Sequence, residues 1–309
     1  MNIVVSSRWW PVSFSRYFLP ALKRTGHKII TVGPWTGKWI RWNKGMELDI
    51  PEALCGLPDI VSNSNFSMFQ PISEVENQID FPVDLWLHIN SDFCLAGKPR
   101  HGIVASVFVD SPTQNYDLER TWSDFSFNMQ KAWCKDGDTW LPFAYSRDFH
   151  YPLKRKEPFE YDISHLGVLG KARTVFAELA RSRGMKIRFE TGPAYDQLRT
   201  IYKDSRVCFS WSTRGELVGR VFEALSMGIP LLTDRISPEN GLWELGLHEN
   251  THFKAFSDLS EALSMAKYML NHYDEQKEMA ERGQRDVAGN SYDDRVKTIL
   301  ETVGFSGTV

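Results

Sequence analysis

From residue 162 to residue 255 short apolar runs alternate with segments of helical periodicity, and the connections between them are only a few residues long. Residues 162–168 (DISHLGV) read as a buried strand. Residues 171–183 (KARTVFAELARSR) carry apolar side chains at helical spacing until Gly184 stops the run. The alternation continues with a strand over 185–190, a helix over 195–203, a strand over 206–211, a helix over 220–227 ending at Gly228, a strand over 229–233, a helical stretch over 240–246 and a last strand over 252–255. Strands separated by helices cannot pair as tight hairpins. Each connection crosses over, which gives a parallel sheet covered by helices on both faces.

The first half repeats the theme, with strands over 3–5, 28–32, 83–89, 103–109 and 140–144 (WLPFA) and a helix over 15–24. Residues 34–82 are polar and irregular and receive no assignment. Two prolines and mixed charge mark 151–160 (YPLKRKEPFE) as a linker. Beyond residue 258 the chain is helical, and its last helix, near 293–303, is expected to return to the first domain. A length of 309 residues suits two domains. The expectation is an α/β protein of two Rossmann-like domains facing a cleft, over 1–152 and 153–290, with 291–309 as a returning helix. Such sheets bind ligands at the C-terminal ends of their strands, which singles out the loops after Val5, Val109, Val168, Glu190, Trp211 and Thr233.

Residues 214–234 (RGELVGRVFEALSMGIPLLTD) join a glycine-containing loop to a helix, a small-residue turn and a buried strand. Gly215 and Gly219 let a ligand approach the backbone, and free N–H groups at a helix start attract phosphate oxygens. Glu223 can offer two oxygens to a ribose diol; the alternative is an i,i+3 pair with Arg220 on a solvated helix face. The segment resembles the donor-binding signature of GT-B glycosyltransferases of group 1, most of all their CgeB-like branch. The resemblance implies a nucleotide-sugar donor, with UDP as the expected nucleotide, gripped through its ribose by Glu223 beside Arg220. Many such enzymes carry a second glutamate eight positions earlier; here that position is Gly215, with Glu216 next to it as the candidate for the sugar-contacting role.

Residues 162–173 (DISHLGVLGKAR) resemble the first loop of the donor domain in the same families. There Gly167 precedes a helix opened by Lys171 and Arg173, whose positive charge would stabilise a departing diphosphate. Cations at a helix N-terminus oppose the helix dipole, so an anionic ligand would rationalise them. Gly192, in the Gly-Pro turn after the next strand, is a candidate wall for the base. In the first half, Asp110 ends a buried strand in VFVDSP. It is a candidate general base for an acceptor hydroxyl, or else a turn residue ahead of Pro112.

Other chemistries have less support. Asp136-Gly137-Asp138 spells a DxD triplet but reads as a turn, no GxGxxG follows the first strand, no P-loop occurs, and the eight histidines lack metal spacing. No metal or cofactor beyond the donor is expected. The four cysteines lack paired spacing, the apolar run at the N-terminus is only three residues long, and no run approaches 18 apolar residues. A cytoplasmic protein without a membrane span is expected.

The first 45 residues contain no Asp or Glu but eight Lys or Arg, against 28 basic and 39 acidic residues in the rest. They also hold five of the 11 Trp. Arg8, Trp9, Trp10, Trp35, Arg41 and Trp42 are therefore candidate acceptor contacts. Cations beside flat rings suit an anionic polymer such as DNA, with a hydroxylated, flipped base as acceptor in the manner of phage DNA-modifying glycosyltransferases. A polysaccharide or cell-envelope polymer, and a basic face with several core Trp, are the competing readings. An epimerase of the same fold and a binding protein without turnover are the competing functions. The oligomeric state is not legible.

Overall fold

The computed structural model describes residues 1–9, 12–35, 37–40, 46–47, 56–62, 69–90 and 93–305. The chain forms two compact units, Met1–Pro142 with Tyr292–Val309, and Phe143–Ser291.

The first unit contains β1 (Asn2–Ser6), α1 (Ser15–Arg24), β2 (Lys28–Gly33), β3 (Trp39–Ile40), β4 (Met46–Glu47), β5 (Ile60–Val61), β6 (Phe69–Pro71), α2 (Ile72–Glu76), β7 (Leu85–Asn90), β8 (Cys94–Ala96), β9 (Ile103–Phe108), α3 (Asp117–Arg120), β10 (Phe125–Asn128) and β11 (Asp138–Trp140). Seven of these strands form one parallel sheet in the order β5-β2-β1-β7-β9-β10-β11. Strand order reverses between β1 and β7, the point at which doubly wound sheets open a crevice. Gly33 is required where β2 passes the loop after β1: at its φ of +145° a Cβ would lie 1.9 Å from the Ser7 carbonyl oxygen.

The second unit contains β12 (Tyr161–Leu166), α4 (Lys171–Ser182), β13 (Ile187–Glu190), α5 (Tyr195–Lys203), β14 (Ser205–Ser210), α6 (Gly219–Ser226), β15 (Leu231–Asp234), β16 (Lys254–Phe256), α7 (Leu259–Asn271) and α8 (Tyr273–Asp286). Its five strands are all parallel, in the order β13-β12-β14-β15-β16. Here the order reverses between β12 and β14. One face buries Ile163, Val207, Phe209, Leu232 and Phe256 beneath α4, which contributes Phe176, and α7. Phe209 stacks on Phe176 with centroids 4.1 Å apart and on Phe256 at 5.4 Å, each such pair adding about 0.5–1.5 kcal/mol beyond burial. The last helix, α9 (Tyr292–Thr302), packs against α1 in the first unit, where Tyr292 stacks on Tyr17 and Arg24 pairs with Asp293.

Several elements differ from the sequence expectation. The last strand of the first sheet is Asp138–Trp140 rather than 140–144, because Pro142 interrupts the apolar run and offers no N–H to a ladder. Phe125–Asn128 is a strand that the sequence reading omitted. The stretch 240–246 is two 3-10 turns, Pro238–Asn240 and Leu242–Leu245, separated by Gly241 at φ +80°. Residues 151–160 pack on the second unit: the Leu153 N–H donates to the Met227 carbonyl at 3.2 Å, and Arg155 donates to the Ser205 and Arg206 carbonyls. The division between units accordingly falls after Pro142, ahead of the expected boundary at 152.

Candidate functional site

In the second unit, β12 and β14 are neighbours, and their following segments diverge to opposite faces of the sheet. Their C-terminal ends carry Gly167 and Trp211, and two guanidinium groups converge there. Arg173, from the first turn of α4, donates through Nε to the Trp211 carbonyl at 2.8 Å, again through Nη2, and through Nη1 to the Val168 carbonyl. Burial, then the nearby Arg220, lowers the pKa of Arg173. Arg220, from the first turn of α6, donates to the Leu166 carbonyl and lies with its carbon 5.7 Å from the centre of the Tyr202 ring. Two like charges held this close, on the carbonyls of two adjacent strands, form a setting that an anion would stabilise.

Gly167 lies beside Arg220. Its φ is +154°, and a Cβ there would sit 3.2 Å from Arg220 Nη2 and 3.5 Å from His165 Nε2. The missing side chain leaves the two polar groups facing the loop. Thr191 donates its hydroxyl to the Gly167 carbonyl at 3.0 Å, which ties the turn containing Gly192 (φ +128°) to the same place. Lys171 is exposed at the start of α4.

Glu223 is 8% exposed on α6. Its Oε2 lies 3.0 Å from Arg220 Nη1, so the i,i+3 pair is present, but on a buried rather than a solvated face. Its Oε1 lies 3.8 Å from His150 Nε2. His150 Nδ1 accepts the Ser146 N–H at 3.0 Å, which leaves Nε2 as the protonated nitrogen turned to the carboxylate. The sequence reading did not name His150; its partner is 73 residues away, and no local pattern signals it.

The Gly215 loop is braced from below. Asp234, at the end of β15, accepts the Ser212 N–H at 2.8 Å and the Ser212 hydroxyl, and that hydroxyl oxygen accepts the Gly215 N–H at 2.9 Å. Asn240 donates to the Gly215 carbonyl at 2.9 Å. Burial raises the pKa of Asp234 despite these bonds. Glu216 closes the loop on itself: its carboxylate accepts the N–H groups of Thr213 at 3.1 Å and Arg214 at 2.5 Å. As placed, Glu216 braces the loop, and both oxygens proposed for a sugar already hold backbone donors.

In the first unit, Asp110 follows β9 and heads a turn. Its carbonyl accepts the N–H groups of Thr113 at 2.8 Å and Gln114 at 2.9 Å, and its own N–H donates to the Tyr116 hydroxyl oxygen at 3.1 Å. Asp138 of the DxD triplet accepts two bonds from Arg120 and the Lys135 N–H; its carboxylate is a structural partner. Among the described residues, no group of three His, Cys, Asp or Glu is placed to hold a metal. Arg8 and Trp9 are buried, with the Trp9 indole N–H donating to the Val32 carbonyl at 2.9 Å, so neither offers an open stacking face. Trp35 is 43% exposed. Trp10, Arg41 and Trp42 lie outside the described residues. No helix among the described residues is long and apolar enough to cross a membrane.

The family model described as glycosyl transferase-like matches residues 146–301, which takes in all but the first three residues of the second unit and every residue of the crevice. Among curated proteins, none matches the chain. The fold is similar to the sucrose-phosphate synthase from Thermosynechococcus elongatus, with TM-score 0.64 and 9% identity over 99% of this chain and 100% of that one. It is similar as well to Anabaena HepE in complex with UDP and glucose, with TM-score 0.69 and 11% identity over 98% of this chain and 99% of that one.

Proposed function

The chain belongs to the glycosyl transferase-like family, and we propose that it transfers a sugar from a nucleoside-diphosphate sugar, with UDP as the nucleotide, to an acceptor hydroxyl. The observation that carries this reading is the pair of guanidinium groups, Arg173 and Arg220, fixed on strand-end carbonyls at the point where strand order reverses. A diphosphate seated over Gly167 meets both, with Lys171 at the rim, and its ribose falls to Glu223. The developing charge on the leaving diphosphate is then stabilised by groups already in place, which lowers the barrier without reorganisation. The HepE complex with UDP and glucose agrees with a UDP-sugar donor in this fold.

Asp110 is the group we assign to the acceptor hydroxyl, as general base or as an orienting partner, from its place at the strand end of the first unit. Arg8 and Trp9 are buried, and Trp35 is 43% exposed. We do not propose DNA as the acceptor.

The test is incubation with a panel of nucleotide sugars, scored for released nucleotide with saccharide acceptors, with DNA and alone. Release that depends on an acceptor and persists in EDTA supports the reading. Interconversion of the sugar without release identifies an epimerase. Binding without either reaction identifies a binding protein, and turnover abolished by EDTA and restored by manganese overturns the charge assignment to Arg173 and Arg220.

A further inference from the structure

The crevice contains one polar group that the reading above leaves idle. His165, on β12, is 4% exposed. Its Nδ1 lies 2.9 Å from the Phe209 carbonyl oxygen, which makes Nδ1 the donor and leaves a lone pair on Nε2. Nε2 has no hydrogen-bond partner among the described residues. It lies beneath Gly167, 3.5 Å from where a Cβ would start, so the absence of a side chain is what opens it to the loop. A buried ring nitrogen without a partner is rare unless something else comes to it.

The surroundings hold the ring neutral in the absence of an added negative charge. Arg220 faces it from α6 and Arg173 from α4; β13 contributes the Phe189 ring, 5.3 Å away, and β14 the Phe209 ring and carbonyl. The Val168 and Phe209 backbone carbonyls both favour the protonated ring, against the burial and the two guanidinium groups. Burial first, then the two guanidinium groups, hold its titration down to about 3. A third cation would be repelled by the two already there. Each negative charge arriving within about 5 Å works against this, favouring the imidazolium by more than about a hundredfold at an effective dielectric of about 20, so the several charges of a diphosphate together bring the titration past neutrality.

We propose that His165 is a proton-linked contact of the donor diphosphate: when the anion fills the crevice, Nε2 takes one proton from solvent and donates it as an N–H to a phosphate oxygen. The proton returns to solvent when the nucleotide leaves, and no bond to phosphorus changes. The inference rests on the crevice being the diphosphate site and adds a charge that exists only with the ligand bound.

The test is calorimetric titration of the full chain with UDP at pH 7.5 in buffers of different protonation enthalpy. We expect close to one proton taken up per UDP by the wild-type protein and none by His165→Gln beyond the ligand's own contribution, which is common to both. Uridine, without phosphate, is expected to cause no uptake in either. Wild-type UDP affinity is expected to weaken by up to tenfold per pH unit above neutrality, with His165→Gln flat over the same range. Equal uptake in the two proteins overturns the inference while leaving the donor site standing. Failure of both UDP and pyrophosphate to bind the wild-type chain overturns the reading of the crevice, and this inference with it. If His165→Gln does not fold, carbon-13 labelling of the eight histidines reads the wild-type protein directly: one imidazole must change to its protonated shift on addition of UDP, and eight unchanged signals overturn the proposal.

Discussion

Gly167→Ala separates the crevice from the rest of the fold. At φ +154° an alanine is strained, which costs about 1–3 kcal/mol. Its Cβ would also begin 3.2 Å from Arg220 Nη2, a separation at which the guanidinium has to give way. For a unit the size of Phe143–Ser291, roughly 2 kcal/mol corresponds to a fall in melting temperature of about 4–8 °C. A guanidinium moved off its position weakens one charge-assisted contact with the ligand, worth roughly 1.5–3 kcal/mol, so UDP should bind about 10–150-fold more weakly by calorimetry. The control is Gly184→Ala, at the far end of α4, where φ is +83° and nothing lies within 4 Å of the added carbon. It should cost about 1–2 kcal/mol of stability by the same backbone argument and leave UDP affinity unchanged. If the folded Gly167→Ala protein binds UDP as tightly as Gly184→Ala does, the anion does not sit over Gly167 and the assignment of Arg220 fails.

Glu223→Gln, which keeps the shape of a buried side chain, should weaken UDP binding by roughly 1.5–3 kcal/mol; unchanged calorimetric affinity in the folded variant removes Glu223 from the ribose. Asp110→Asn should abolish transfer while UDP affinity survives, and full turnover in that variant would return Asp110 to a turn residue only. His88 is fully buried on β7, and burial holds its pKa near 3 against an ordinary value of 6.5. The folded first unit therefore refuses a proton that the unfolded chain takes up below pH 6.5. This stability is present above that pH and is lost as pH falls toward 3, by about 1.4 kcal/mol per pH unit. Denaturant midpoints of the wild-type protein and His88→Gln between pH 6.5 and 4 should diverge accordingly, and parallel slopes would disprove the coupling.

The parallel architecture was legible because its signal is periodic and local. A helix such as Lys171–Ser182 announces itself by spacing and by Gly184, and Tyr195–Lys203 and Ser15–Arg24 fall where their sequences put them. The misses follow from the same cause. Phe125–Asn128 is short, half polar and placed in the sheet by partners on β9 and β11, so four residues carried too little pattern to register. At the opposite extreme, the acid-free arm carried a strong compositional signal that is silent about depth. Composition puts Trp9 beside cations, whereas packing puts its indole N–H on the Val32 carbonyl.

The site divides along the same line. Gly167, Arg173, Arg220 and Glu223 belong to two contiguous segments, and each segment begins a helix at a strand end, so both could be found by reading forward along the chain. What makes them one site is the adjacency of β12 and β14, which no local pattern encodes. Groups outside the predicted site act across that gap or one like it: Asp234 on Ser212 from 22 residues away, His165 on Phe209 from 44, His150 on Glu223 from 73. Those that recruit a neighbour hold a loop or a ring in place, and a brace needs only a fitting partner. The anion contact proposed for Arg173 and Arg220 demands more, a cation at a strand end with a glycine beside it, and such a constraint would leave a trace in the sequence that a brace does not.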